Sequence, residues 1–360
     1  MKSLQLQSMR RPASLAGAAV LTVGLAVGLP TAPASAAGLP SASAVINNNT
    51  LTVRGTNRDD AVVLGLVSDS GGQHLSVDLG GGSVPILFDR NLFTAIAVQL
   101  GSGDDSFSVI PDGGFLDTPD PITVDGGSGN DVLVGSFGDD TLSGGAGDDR
   151  ITGQDGEDLI LGGQGNDTVN GNRGNDIEIL GAGDDTALWT PGEGSDAVDG
   201  GGGVDQLLFD GSNAPENVRV TASGSHVVFT RDVAAVRMDL QRVEGLTFRA
   251  LGSADVITIG DLTGTALRKA DLDLRSSTGE DDGAVDAITV AGSGRADWIE
   301  IGAPVGSIDI AGTPAEVGIV GSAPSDTLQI NAGGGNDHVD VADAVTDLIA
   351  LSVDLGSGQR

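Results

Sequence analysis

The chain has 360 residues, with no Cys, no Tyr, 58 Gly, and 51 acidic against 18 basic side chains, a formal charge of −33. Such a charge repels nucleic acid and anionic membranes, and the lack of Cys excludes disulfides as the staple of the fold. Aromatic residues are only 3% of the chain, so the core has to be built from Val, Ile, Leu and Ala in short pieces, a composition that suits many brief strands.

At the start of the chain, Lys2, Arg10 and Arg11 precede an apolar run from Leu15 to Leu29, and Ala34-Ser35-Ala36 follows as a small-residue cleavage site. Residues 1–36 read as a signal peptide cut before Ala37, and the destination as secreted and extracellular. Arg10-Arg11 also admits the twin-arginine route, although Pro12-Ala13-Ser14 fits that motif poorly. The apolar run is short for a membrane span and no second one exists, so no membrane span is expected.

Residues 37–125 read as a β-rich region. Asp60 and Asp105 each begin a phrase of Asp followed by alternating apolar residues, the pattern of a strand after a turn. The stretch GSGDDSF (101–107) is an isolated copy of the repeat that follows, with no stacked partner expected.

From Gly126 the sequence is periodic at nine residues: GGSGNDVLV, GSFGDDTLS, GGAGDDRIT, GQDGEDLIL, GGQGNDTVN, GNRGNDIEI, LGAGDDTAL, then, after Trp189 and Thr190, PGEGSDAVD and GGGGVDQLL up to residue 208. Position four is Gly in every unit. Position six is Asp in every unit: Asp131, Asp140, Asp149, Asp158, Asp167, Asp176, Asp185, Asp196 and Asp205. Position eight is aliphatic except for Glu178. Two invariant positions in phase are the mark of a stacked repeat. Gly supplies the left-handed backbone and close approach of a tight six-residue turn, and the last three residues make a minimal strand with one inward side chain. Two units form one coil, and a single unit cannot fold alone. Stacked position-six carboxylates repel unless a cation lies between them. Oxygen ligands in a flexible loop suit Ca²⁺ better than Mg²⁺. The frequent Asn, Asp or Glu at position five reads as turn chemistry.

These units resemble the RTX, or haemolysin-type, calcium-binding repeat, GGxGxDxUx with U a large aliphatic residue. The resemblance covers residues 126–208 and implies a parallel β-roll. It also implies several Ca²⁺ ions, about five to seven, held between one turn and the next on the same side by the nine position-six Asp residues and by carbonyls of the Gly-rich loop. Glu178, Leu180, Pro191 and Val204 depart from the pattern.

Residues 209–360 read as a second β-rich, solenoid-like region. Asp255, Asp286, Asp297, Asp326 and Asp337 open the same Asp-apolar phrase, two pairs of them 40 residues apart, and Asp232–Glu244 alternates as strands do. GGGNDHV (333–339) is another isolated copy of the repeat. Catalytic signatures are missing from the sequence: no H-E-x-x-H, no G-x-S-x-G, no Cys, and only His74, His226 and His338, which read as surface or turn residues. Trp189 and Trp298 read as packing at coil ends.

The expected fold is therefore all-β, a parallel β-roll or β-solenoid of nonapeptide repeats with irregular β-rich flanks. The expected function is a non-enzymatic, calcium-binding extracellular protein whose partners are calcium ions, with any protein or glycan partner left open. The alternative is a carbohydrate-active enzyme, a lyase or epimerase, on the solenoid flanks. It calls for Asp beside Lys, Arg or His on one exposed strand face.

Overall fold

A computed structural model of the protein describes residues 41–69, 72–110 and 121–356; the signal-peptide reading of residues 1–36 lies outside them. Those residues form two long sheets of 15 strands each, facing each other across a thin core. The alternation of the repeat explains both sheets. Thr141–Ala146 pairs in parallel with Leu159–Gln164 in one sheet, and Arg150–Asp155 with Thr168–Arg173 in the other. Equivalent residues of neighbouring coils are 18 apart, so one coil is two nonapeptides, one on each sheet.

The strands are longer than the minimal three residues the spacing suggests. Thr141–Ala146 covers positions seven to nine of one unit and one to three of the next. The second inward slot of most repeat strands is then the position-one Gly, which fills no core volume, although Leu180 takes it in Ile177–Ala182 and Trp189 in Thr186–Trp189. One aliphatic residue per unit, among them Leu133, Leu142, Ile151, Ile160, Val169 and Leu207, forms the file of buried side chains between the sheets.

The stack does not stop at the ends of the nonapeptides. Ala95–Ser102 pairs in parallel with Ile122–Ser128, and Gln206–Asp210 with Gly245–Leu251. Antiparallel excursions lengthen the coils without ending the stack. Ala61–Asp69 folds back on Gly72–Asp78, Asn217–Ser223 on His226–Arg231, and Trp298–Gly302 on Ser307–Ala311. The 40-residue spacing in the sequence is one such lengthened coil: Ala287 pairs with Thr327 and Trp298 with His338. Within Asp232–Glu244 the strand is Val236–Gln241, with Val236, Met238 and Leu240 buried; a 3₁₀ turn at Val233–Ala235 precedes it.

The two tryptophans part company. Trp189 is buried, stacks on Phe209 with ring centroids 3.9 Å apart, and donates its indole N–H to the Gly194 carbonyl. Phe229 and Phe248 complete this aromatic layer where the regular repeats give way to longer coils. Trp298 is not packed at a coil end: it is 62% exposed and lies against His338. The strand period decides this, because Ile299 and Ile301 take the inward slots and leave Trp298 facing out.

Candidate metal centre

All nine position-six Asp residues are buried in the turns, none more than 4% exposed. They form two ladders, one along each edge of the solenoid. On one edge the Asp131 N–H donates to Asp149 Oδ1 (2.8 Å), Asp149 to Asp167 (2.8 Å), Asp167 to Asp185 (2.7 Å) and Asp185 to Asp205 (3.0 Å). On the other edge Asp140 donates to Asp158, Asp158 to Asp176 and Asp176 to Asp196, each at 2.8–2.9 Å. One carboxylate oxygen of each residue is thus tied to the neighbouring coil.

The second oxygen is the informative one. Oδ2 of Asp131, Asp149, Asp158, Asp167, Asp176, Asp185 and Asp205 is buried with no hydrogen-bond partner. An unpartnered buried acceptor costs about 1–3 kcal/mol, and more when it carries charge. In every one of these turns but that of Asp185, whose position one is Leu180, Oδ2 points at the position-one Gly, where the missing Cβ leaves room. A Cβ on Gly162 would stand 2.6 Å from Asp167 Oδ2 and closer still to the Leu180 carbonyl oxygen of the next coil. On Gly153 it would meet Asp158 Oδ2 and, at 2.7 Å, the Gly171 carbonyl oxygen. Acceptors therefore converge on one point from two coils, with no donor between them.

The carboxylates resist ionisation in this setting. Burial, reinforced by the neighbouring Asp residues of the ladder, pushes Asp149 up to about 7 and Asp158 up to about 8. Burial also lifts Asp167, Asp176 and Asp205 to about 6 and Asp196 to about 7, and raises Asp131, Asp140 and Asp185. Among the described residues no three His, Asp or Glu side chains converge as a metal cluster. A cation here needs backbone carbonyls for most of its ligands, and an all-oxygen set of one or two carboxylates with carbonyls suits Ca²⁺. The donor set fits the ion that the resemblance implies.

Two of the nine differ. Asp140 Oδ2 already accepts from the Ser136 N–H (2.6 Å) and hydroxyl (2.9 Å). Asp196 sits in the turn that follows the Trp189–Thr190 insertion, and Glu193 in that turn adds repulsion. Glu178 occupies an inward slot, wholly buried, with Oε1 accepting from the Gly171 N–H and Oε2 unpartnered; burial raises its carboxyl well above the usual range. The position-five residues form a separate, exposed ladder: Asp148 N–H donates to Asn130 Oδ1 at 2.9 Å and Asn166 N–H to Asp148 Oδ1 at 2.8 Å. Their side chains bond each loop to that of the neighbouring coil, 18 residues away, rather than closing their own turn.

The ladders run further than the sequence reading placed them. The 101–107 copy is not isolated: the Asp105 N–H donates to Asp131 Oδ1 (2.8 Å), and Asp105 Oδ2 is also buried without a partner. The offset there is 26 residues, which hides it from a search at nine. Downstream, the Asp255 N–H donates to Asp286 and Asp286 to Asp326, and Asp255, pushed up to about 8 by burial, keeps an unpartnered Oδ2. In the second repeat-like copy, the Asp297 N–H donates to Asp337 Oδ1 at 2.9 Å.

On the outer faces, Asp does occur beside basic groups. Lys269 bonds Asp271 (2.9 Å), Arg275 bonds Asp273 (2.7 Å), and His226 Nδ1 lies 2.6 Å from Asp239, which Arg237 also reaches.

A family model described as the RTX calcium-binding nonapeptide repeat, in four copies, matches residues 125–160 and 152–187. No curated protein matches the chain. The match falls on the turns that hold the unpartnered Asp oxygens, in a β-solenoid of the kind such repeats build, and residues 125–187 carry RTX-type calcium-binding nonapeptide repeats.

Proposed function

We propose that this is a secreted, non-enzymatic protein that folds on meeting Ca²⁺ outside the cell and then serves as a rigid structural or interaction module. The position-six Asp residues of 126–208, with loop carbonyls, are the ligands in this reading, apart from Asp140, whose free oxygen Ser136 already occupies. The single observation that carries it is the row of buried Asp Oδ2 atoms that face carbonyl oxygens instead of donors. The signal-like sequence of residues 1–36 supports export. Among the described residues no helix is long and apolar enough to cross a membrane.

Asparagine variants test the ligands. Asp149→Asn and Asp167→Asn keep the Oδ1 acceptor of the ladder but place an N–H where the cation would sit. Each is expected to lower calcium affinity roughly tenfold or more and to blunt cooperativity, read by isothermal titration. Unchanged isotherms for both would remove these residues from the ligand set.

A second reading is a carbohydrate-active enzyme on the outer sheet faces. The Asp pairs with Lys269, Arg275 and His226 favour it. Against it, each of these basic groups is already engaged by its carboxylate. A glycan-release assay on the calcium-loaded protein separates the two readings.

A further inference from the structure

Most of the turn carboxylates sit in two kinds of turn that the backbone tells apart; the Asp196 turn, left-handed at Gly192 but not at Gly194, belongs to neither. In the first kind, positions two and four both lie in the left-handed region. Gly145 and Gly147 (φ 115° and 134°) precede Asp149, and Gly163 and Gly165 (128° and 118°) precede Asp167. Even where position two is not Gly, it keeps this conformation: Gln154 has φ 88° and Asn172 φ 64°. Every one of these turns ends in an Asp whose Oδ2 has no partner. Asn tolerates this region, but Gln154 at positive φ is strained, so the shape of its loop is being imposed.

In the second kind, position two is Ser or Thr and neither position two nor position four is left-handed. The side chain and N–H of position two close on the carboxylate instead. Ser136 gives Asp140 both bonds, at 2.9 and 2.6 Å, and the Gly138 N–H donates back to the Ser136 hydroxyl at 3.3 Å. Thr56 does the same for Asp60 at 2.9 and 2.5 Å, with Arg58 N–H on the hydroxyl. Ser293 does so for Asp297 at 2.7 and 2.6 Å, with Arg295 N–H on the hydroxyl. The same local device recurs in three separate coils, two of them far from the regular repeats.

We propose that a position-two hydroxyl replaces the cation: turns 55–60, 135–140 and 292–297 are closed by their own Thr or Ser and take no Ca²⁺, whereas turns with left-handed positions two and four require it. The inference rests on the calcium reading of those latter turns and assigns, coil by coil, which gaps are ion sites. Charge-assisted hydrogen bonds from N–H and O–H supply the buried carboxylate with what the ion supplies elsewhere. Asp140 stacks directly on Asp158, whose own turn is of the ion-requiring kind, so one residue decides whether that gap is filled.

Ser136→Gly makes that turn GGFGDD, removes both the hydroxyl and the Cβ, and frees position two for positive φ. Equilibrium dialysis against Ca²⁺ is expected to show one more ion per chain for Ser136→Gly than for the natural chain, and Ser136→Thr, which keeps the hydroxyl, is expected to show no gain. An unchanged count in Ser136→Gly overturns the inference, and so does a Ser136→Gly chain that stays unfolded in saturating calcium, since the ion then fails to stand in for the hydroxyl. If the natural chain binds no Ca²⁺ at all, the calcium reading itself falls, a result distinct from either.

Discussion

In chelator at pH 8 the protein is expected to lose most of its β-sheet circular dichroism, and millimolar Ca²⁺ to restore it. The turns explain why the effect should be large. Seven Asp residues between 131 and 205 each keep a buried acceptor without a donor, in coils whose core is one aliphatic side chain per nine residues. Extracellular calcium modules bind at about 10⁻⁴–10⁻³ M. At about 10 mM Ca²⁺, each site then adds roughly 1.4–2.7 kcal/mol to stability. Several such sites together match or exceed the roughly 5–15 kcal/mol that separates folded from unfolded in an ordinary domain. Metal binding is then most of the folding free energy, as in other small metal-dependent folds. A spectrum indifferent to chelation would mean that the ladders hold without cations.

The second large effect is a reversal with pH. Without calcium, acid is expected to stabilise the solenoid. Asp149 is raised to about 7, Asp158 to about 8 and Asp167, Asp176 and Asp205 to about 6, against an ordinary value of 3.8, because burial penalises the charged form. Between about pH 4 and pH 8 the folded chain therefore holds more protons than the unfolded one, and stability falls as pH rises. The contribution is complete below the ordinary carboxylate range and gone above about pH 8. Glu178, buried and raised for the same reason, adds to the trend, so Glu178→Gln should flatten part of it. With calcium present the ions compete with those same protons, and affinity should rise with pH. Melting temperatures in chelator at pH 5 and pH 8 check this: higher at pH 5 is expected, and higher at pH 8 would show that the buried carboxylates do not govern stability.

Much of this architecture is legible in the sequence because the nonapeptide fixes phase. Gly at position four, Asp at position six and an aliphatic residue at position eight together specify the turn, the ladder and the core file, and the two-unit coil follows. The looser Asp-apolar phrase of the flanks turned out to mark the same place in the coil: Asp255 donates to Asp286 and Asp286 to Asp326, as the repeat residues do along their ladders. What stayed hidden was three-dimensional. Asp105 joins the stack at an offset of 26, which no search at nine detects. Ser136 looks like a harmless variant of Gly at position two, and only its hydroxyl geometry shows that it takes over Asp140. Trp298 reads as a packing residue until the strand period turns it outward.

The most direct measurement is a count of calcium ions on the mature chain, by equilibrium dialysis in millimolar Ca²⁺. About five to seven ions per chain are expected, bound cooperatively along residues 126–208. No bound ions at that concentration would contradict the claim that divalent metal occupies the space between the stacked Asp turns.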